Sequence, residues 1–323
     1  MLRRPRRNRK SAVIRDLVQE TQLTAANLIF PLFILEGSNV KSEVSSMPGI
    51  FRYSIDNLLR EVESCMKLGL RAFDLFPNID DALKDKYATE ATRGDSLYLR
   101  AIATVKKEFP EACVVTDVAM DPYSSDGHDG VVENGQILND ETLKILGNMA
   151  LAHAQAGADI IAPSDMMDGR IGYLRNILDE QGFSNVSLMS YTAKYASAFY
   201  GPFRDALNSA PKLGDKKTYQ MNPANQREAL IEAELDVQEG ADFLMVKPAL
   251  PYLDVIKLLH EQFDLPIAAY NVSGEYAMIK ASTRNGWLDE QRATMEVLLG
   301  IRRAGATAIL TYHAKEVLEK KWL

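Results

Sequence analysis

The chain has 323 residues, of which 46% are hydrophobic and 25% are charged, and its formal net charge is −7. These values are typical of a folded globular protein and exclude a largely disordered chain. The longest apolar run, residues 28–35, is far shorter than the roughly 20 residues of a membrane-spanning helix, so we expect no membrane partner.

The first residues form a basic segment. Six of the first ten carry Arg or Lys, and acidic Asp16 and Glu20 follow without the apolar core of a secretory signal. Because the chain is acidic overall, no wider positive field supports nucleic-acid binding. We interpret residues 1–27 as an arm that is solvated or contacts a partner. Cys65 and Cys113 allow no disulfide framework or cysteine metal motif, which fits the cytoplasm.

A recurring junction organises the rest of the chain. An amphipathic helical pattern, a glycine and a continuous apolar run follow one another in KLGLRAFDLF (67–76), QAGADIIAP (155–163), QEGADFLMVK (238–247) and RAGATAILTY (303–312). Glycine readily ends a helix, and continuous apolar runs are typical of parallel strands covered on both faces. With the apolar runs between these junctions, the pattern predicts eight strands, at 28–35, 71–76, 113–118, 159–163, 187–190, 243–247, 266–271 and 308–312.

Helical patterns lie between most of these strands, so the sequence predicts an α/β fold in which residues 28–323 form one (β/α)8 TIM barrel. An open doubly wound sheet is the competing architecture, but no G-x-G-x-x-G turn follows the first strand. Residues 191–221 are longer than an ordinary strand–helix loop and are rich in cations and aromatic residues. We interpret this segment as a lid over an anionic ligand, with a merely decorated loop as the alternative.

The strand ends hold the residues that could do chemistry, because barrel enzymes act where strands end and loops begin. Lys247 follows the apolar residues 243–246 and precedes Pro248. Position alone favours a snorkelling or ion-paired lysine, whereas the functional interpretation is a neutral amine that forms a Schiff base. Lowering the pKa of an amine from about 10.4 to near 7 requires roughly 4–5 kcal/mol. Burial and a second ammonium, for which Lys194 is the candidate, can supply it.

The loop DVAMDPYSSDGHDG (117–130) gathers acidic residues after the third strand. Asp117, Asp121, Asp126, Asp129 and His128 could together hold a hard divalent cation. Asp and Gly also favour turns, which explains much of this composition without a metal.

Four blocks of sequence resemble one enzyme family. They are APSDMMDGR (162–170), SYTAKYASAFYGPFRDA (190–206), GADFLMVKPALPYLD (240–254) and YNVSGEYAM (270–278). They closely resemble the porphobilinogen synthases, also called 5-aminolaevulinate dehydratases, and the resemblance runs from about Arg3 to Leu323. It implies a hydro-lyase that condenses two molecules of 5-aminolaevulinate to porphobilinogen with loss of two waters, early in tetrapyrrole (haem and chlorophyll) biosynthesis.

The resemblance also implies roles for individual residues. Lys247 and Lys194 match the lysines that form Schiff bases with the propionate-side and acetate-side substrates, and Asp117 and Ser164 match polar groups at the reaction centre. The remaining matches are Ser273 and Tyr312 for one substrate carboxylate, Arg204, Lys216 and Gln220 for the other, and Tyr200, Phe203 and Tyr270 for packing around the substrates.

Metal use and assembly are implied in the same way. Members with catalytic zinc carry three cysteines where this chain has Ala119, Asp121 and Asp129, so we expect no catalytic zinc. Asp121 and Asp129 are typical of the aspartate-bearing branch and could hold magnesium. Glu232 matches a glutamate that binds an allosteric magnesium ion in some members. The family assembles as octamers with wrapped arms, so we expect a homo-octamer.

Two other functions remain open at this point. A different lysine-dependent barrel enzyme, such as a class I aldolase or a dihydrodipicolinate-type synthase, would explain one strand-end lysine but not the second. A catalytically silent barrel that serves as a scaffold would need neither lysine. Turnover of 5-aminolaevulinate separates all three functions.

Overall fold

The computed structural model describes residues 2–207, 212 and 214–323. Its strands are β1 Leu28–Ile34, β2 Lys41–Glu43, β3 Phe51–Tyr53, β4 Ala72–Pro77, β5 Cys113–Val118, β6 Val131–Glu133, β7 Gln136–Leu138, β8 Ile160–Pro163, β9 Ser187–Lys194, β10 Phe243–Lys247, β11 Ile267–Asn271 and β12 Ala308–Thr311. Its α-helices are α1 Ala12–Leu17, α2 Ile55–Lys67, α3 Leu97–Glu108, α4 Asn139–Ala156, α5 Arg170–Glu180, α6 Gly201–Leu207, α7 Glu228–Glu239, α8 Leu253–Gln262, α9 Ser273–Arg284, α10 Glu290–Ala304 and α11 Ala314–Glu319.

Within these ranges, eight parallel strands close into a barrel. Their order is β1, β4, β5, β8, β9, β10, β11 and β12, and β12 pairs again with β1 through Leu28 and Ile309. Every residue of β1 is buried, as expected for a strand with the barrel interior on one face and helices on the other. The predicted (β/α)8 barrel is therefore confirmed. Short strands β2 and β3 extend the sheet beside β1, and β6 pairs with β7 as a separate hairpin.

The predicted glycine junctions lie where helices end. Gly157 follows α4 with φ 104°, and Gly240 follows α7 with φ 98°. Both backbone conformations are strained for residues with a side chain, so glycine allows the chain to leave each helix and enter the next strand at once.

Strand β9 is longer than the sequence predicted. The predicted end was residue 190, but β9 continues to Lys194 because β10 pairs with it beyond a register shift, through Ala193 with Val246 and Lys194 with Lys247. Lys194 is thus held by the barrel, and the segment that covers the mouth begins after it rather than at residue 191.

The N-terminal arm lies apart from the barrel core. Its helix α1 buries none of its residues, and the side chains of Val13 and Leu17 are 68% and 78% exposed. Asn27, at the end of the arm, donates a hydrogen bond to the carbonyl of Thr307 and fixes the entry into β1. No helix in the described ranges has the length and apolar composition needed to cross a bilayer.

Candidate active site

Two lysines meet at the carboxyl-terminal end of the barrel. Lys194 and Lys247 are register partners at the ends of β9 and β10, and each is only 6% exposed. Paired residues of neighbouring parallel strands project to the same side of the sheet, so both amines enter the same mouth. Two ammonium groups so close in a dry site repel each other, which favours a neutral form of one of them.

Aromatic rings enclose the amine of Lys247. The Nζ atom lies 4.4 Å from the ring centre of Tyr270, 4.9 Å from that of Tyr191 and 5.0 Å from that of Phe203. Burial among these rings, together with the charge of Lys194, lowers the pKa of Lys247 to about 7. Ring faces attract a cation, but here the loss of hydration outweighs that attraction. Lys247 therefore has a substantial neutral, nucleophilic fraction near neutral pH.

Lys194 and Asp117 are linked through Ser164. The amine of Lys194 donates a hydrogen bond to the carbonyl oxygen of Ser164, which follows β8. The Ser164 hydroxyl donates to the carboxylate of Asp117, on β5. Burial raises the pKa of Asp117 to about 6, although Lys194 and Lys247 oppose this rise. A carboxyl group with this pKa can both accept and donate a proton near neutral pH.

Helix α6 covers the mouth above the lysines. The hydroxyl of Tyr200 donates to the carbonyl oxygens of Tyr195 and Lys247, at 2.7 and 3.1 Å. Phe203 packs edge-on against Phe76, with ring centres 5.1 Å apart. The side chain of Arg52 donates to the carbonyls of residues 205 and 206 and holds the end of the helix on the barrel. The segment after α6 is described only in part, so its predicted role as a lid stays a prediction.

The residues predicted for one carboxylate lie at the ends of neighbouring strands β11 and β12. The Ser273 hydroxyl accepts a hydrogen bond from the backbone N–H of Phe203 at 3.0 Å and lies 3.3 Å from the carbonyl oxygen of Phe199. The Tyr312 hydroxyl is hydrogen-bonded to that of Tyr270 at 3.1 Å. Ser273 thus fixes the position of α6, while the two tyrosines form a hydroxyl pair inside the mouth.

The residues predicted for the other carboxylate are held differently. The ammonium of Lys216 lies 3.1 Å from carboxylate oxygens of both Asp121 and Asp129, and these carboxylates keep the pKa of Lys216 raised against the effect of burial. Gln220 is buried beside Lys216 and donates its backbone N–H to the carbonyl of that lysine. Arg204 is half-buried on α6, where its charge acts on Tyr200.

This ion pair bears on the predicted metal site in the acidic loop. Lys194 and Lys216 lower the pKa of Asp129 to about 2 although burial opposes ionisation, whereas burial raises the pKa of Asp121. The ammonium of Lys216 takes the position where a cation would bind the two carboxylates. In the described ranges, no three His, Cys, Asp or Glu side chains gather as metal ligands. Asp121 and Asp129 are thus paired with an ammonium group in this arrangement, and their predicted role in holding magnesium stays a prediction.

Glu232 lies elsewhere, on α7, beside a cavity of about 610 Å³ that Asp168 and Glu228 also line. Burial raises the pKa of Glu232 to about 7, and the carboxylates of Asp236, Asp168 and Glu228 add to the rise while Arg170 opposes it. Oxygen ligands around a polar cavity suit a partly hydrated magnesium ion.

Sequence reasoning overlooked Asp74. This residue lies in the middle of β4, is completely buried, and acts electrostatically on Lys247 and Asp117. The signal was present in the run FDLF (73–76), where an acidic residue interrupts an apolar strand. Such a residue inside a barrel strand is costly unless it has a role or is protonated.

Comparison with known proteins decides the family. A family model described as delta-aminolevulinic acid dehydratase matches residues 2–320. The chain belongs to this family. The chain is 54% identical over 317 residues to the delta-aminolevulinic acid dehydratase of Chlamydia pneumoniae, covering 98% of this chain and 96% of that protein. It is 57% identical over 322 residues to the chloroplastic enzyme of Selaginella martensii, covering 99% and 76%.

A solved structure of the same family has the same fold. It is the delta-aminolevulinic acid dehydratase (porphobilinogen synthase) of Toxoplasma gondii in complex with the reaction product porphobilinogen. The two chains are 50% identical and superpose with a TM-score of 0.97, over 99% of this chain and 92% of the other. The predicted family and the hydro-lyase activity are thus confirmed, and neither an aldolase nor a silent scaffold is needed to explain the chain.

The proximity of the two lysines predicts a measurable shift. Lys194→Met removes the second ammonium, so the pKa of Lys247 should rise above its value of about 7. The pH dependence of Lys247 acetylation by a small anhydride, read by peptide mass mapping, gives this pKa. Lys257→Met, at an exposed helix position, is the matched control and should leave the midpoint unchanged. A midpoint that stays near 7 in Lys194→Met would mean that burial alone sets it.

Proposed function

We propose that this chain condenses two molecules of 5-aminolaevulinate to porphobilinogen and two waters, with Lys247 and Lys194 as its Schiff-base lysines. The observation that carries the assignment is the pairing of two buried lysines across β9 and β10 at the barrel mouth. Each imine releases one water as it forms, and each lysine leaves as a free amine as the pyrrole is completed. Two imines therefore account for both waters.

Lys247 acts as the first nucleophile in this scheme. Its neutral amine attacks the ketone carbon of the propionate-side substrate. The protonated imine that results makes this carbon electrophilic and withdraws electrons from its neighbours. The rings of Tyr191, Tyr270 and Phe203 exclude water from the imine, which protects it from hydrolysis.

Lys194 and Asp117 act on the second substrate. An imine on Lys194 acidifies the C–H next to its carbon, and the carbanion equivalent attacks the electrophilic centre on Lys247. Asp117, with a pKa of about 6, accepts and returns the protons that these steps move. Its hydrogen bond from Ser164, whose carbonyl also accepts from Lys194, keeps the acid beside the amine that it serves.

The substrate carboxylates are assigned to two groups of residues. Ser273 and Tyr312 bind the carboxylate of one substrate, and Arg204, Lys216 and Gln220 bind that of the other. Because Lys216 is paired with two aspartates here, an incoming carboxylate must compete with that pair. Tyr200, Phe203 and Tyr270 pack around the two substrates, which holds them in a reactive orientation.

Borohydride trapping tests the two lysines. Reduction in the presence of 5-aminolaevulinate should attach substrate to Lys247 and, at higher substrate concentration, to Lys194, as read by peptide mass mapping. Lys247→Met should lose the first label and at least about 10³-fold of the activity, because no other amine is placed to replace the nucleophile. Lys257→Met is the control. Label that spares Lys247 in the wild-type enzyme would contradict the assignment.

Magnesium is proposed to activate the enzyme through Glu232. The group of carboxylates at the 610 Å³ cavity, with Glu232 half-buried, supports this assignment. A bound magnesium ion would supply positive charge at α7, and Glu232 and Asp168 would hold it with water. No catalytic step passes through this ion, and no catalytic zinc is part of the proposal.

A chelation series tests the magnesium site. Wild-type activity should fall after chelation and return on magnesium addition, whereas Glu232→Ala should respond little to either treatment. Calorimetric binding of magnesium to both proteins gives a readout that is independent of activity. Glu63→Ala, at an exposed position on α2, controls for a nonspecific effect of charge. Equal magnesium binding by wild type and Glu232→Ala would remove Glu232 from the site.

The enzyme is also proposed to form a homo-octamer in a reducing compartment such as the cytoplasm. The exposed apolar side chains of Val13 and Leu17 on the arm support contact with a second copy. Cys65 and Cys113 are both free thiols, which supports the compartment. Deletion of residues 1–22 should yield a smaller assembly by light scattering, since the contacts of the arm are lost. A truncated protein that remains octameric would contradict the role of the arm.

A further inference from the structure

Asp74 is a carboxyl group inside the barrel without a compensating partner. The residue is 0% exposed, and neither side-chain oxygen has a hydrogen-bond partner among the described residues. An ionised carboxylate in such a place costs several kcal/mol, so the group holds a proton instead. Burial and the charge of Asp117 both raise the pKa of Asp74, while Lys247 opposes the rise.

The register of the strands places Asp74 beneath the active site. Asp74 pairs with Val115 on β5, and side chains two residues apart share a face of a strand. Asp74 therefore shares the face of Phe76, whose ring lies 6.5 Å from that of Tyr270. Asp117 in the same way shares the face of Val115. The register thus sets Asp74 two residues deeper in the barrel than the level of Phe76 and Asp117.

The groups that act electrostatically on Asp74 or feel its charge come from most of the barrel. They are Asp117 on β5, Lys247 on β10, Tyr191 on β9, Tyr270 on β11, Tyr312 after β12 and Tyr98 on α3. Lys247 is the basic member of this set. The hydroxyl of Tyr191 is itself buried without a hydrogen-bond partner in the described ranges. Asp74 therefore lies within electrostatic reach of Lys247, among buried tyrosines.

Schiff-base formation requires a proton donor, and the protonated carboxyl group of Asp74 can supply one. The carbinolamine formed on Lys247 loses its hydroxyl as water only when that oxygen gains a proton. The product is an iminium ion, so a positive charge appears in a buried site where Lys247 had been neutral. Asp117 is a weaker candidate for this proton, because two lysines favour its ionised form.

We propose that Asp74 is the acid that protonates the leaving hydroxyl of the carbinolamine on Lys247 and then remains as the counter-ion of the iminium. The carbon–oxygen bond breaks, its electron pair leaves with water, and the nitrogen lone pair forms the C=N bond. The proton of Asp74 goes to the water, so a neutral acid and a neutral carbinolamine become a carboxylate and an iminium ion. The ion pair between the Asp74 carboxylate and the iminium ion thus forms only in the step that creates the iminium. This role rests on the proposed function of Lys247.

The rate of imine formation tests the proposal. Wild type, Asp74→Asn and Asp74→Leu are mixed rapidly with 5-aminolaevulinate and quenched into borohydride, and label on the Lys247 peptide is measured against time. Both variants should form the imine about 100-fold or more slowly than wild type, the usual contribution of a general acid. The wild-type rate should fall with rising pH as Asp74 loses its proton, and both variants should lack that limb of the pH profile.

Stability separates catalysis from structure. Asp74→Leu replaces an unpaired buried acid with an apolar group, so its unfolding temperature should equal or exceed that of wild type. A slow Asp74→Leu that is as stable as wild type supports the proposal. Val115→Ala, at the register partner, disturbs the same layer but keeps the acid, and its rate should stay within about threefold of wild type.

The results that would contradict the role of Asp74 differ from those that would contradict the role of Lys247. Asp74→Asn or Asp74→Leu with the wild-type rate and pH profile would overturn the role of Asp74 while leaving Lys247 in place. A wild-type enzyme without label on Lys247 would overturn the proposed function and the role of Asp74 with it.

Discussion

The active site depends on two lysine amines that lie buried together at the carboxyl-terminal end of the barrel. Strands β9 and β10 place Lys194 and Lys247 at paired positions, and the barrel removes most of their contact with water. Two buried ammonium groups at this separation are unfavourable, so the free energy of the site favours a neutral Lys247. Nucleophilicity near neutral pH is thus a consequence of strand register and burial, both of which belong to the scaffold.

The other charged groups of the mouth are arranged around that constraint. Burial raises the pKa of Asp117 to about 6 against the effect of both lysines, while Asp121 and Asp129 are both paired with Lys216. Asp74, by contrast, forms no hydrogen bond or ion pair among the described residues. In the role proposed for it, a neutral Asp74 adds no negative charge that would hold a proton on Lys247 before the reaction, and an ionised Asp74 would stabilise the cation that Lys247 becomes.

Helix α6 is held over the barrel mouth by a few specific hydrogen bonds. Helix α6 is bound to the barrel through the hydroxyls of Tyr200 and Ser273, which bond to backbone groups, and through the side chain of Arg52. The Tyr200 hydroxyl donates to the carbonyl of Lys247, so the segment that leads into α6 is tied to the strand end that carries this lysine. Phe203, on α6, forms part of the aromatic enclosure of Lys247.

From the sequence alone, the barrel and the two lysines proposed to react could be predicted. Continuous apolar runs after helix-ending glycines are local features, and the blocks that resemble the family are continuous stretches of the sequence. The sequence alone did not determine that β9 extends to Lys194, that Lys216 pairs with Asp121 and Asp129, or that the buried Asp74 lies within electrostatic reach of Lys247. These facts depend on which strands become neighbours and in what register, and a register is fixed only when the whole barrel closes. The neutrality of one amine is a property of that closure, because burial and the second charge come from distant parts of the chain.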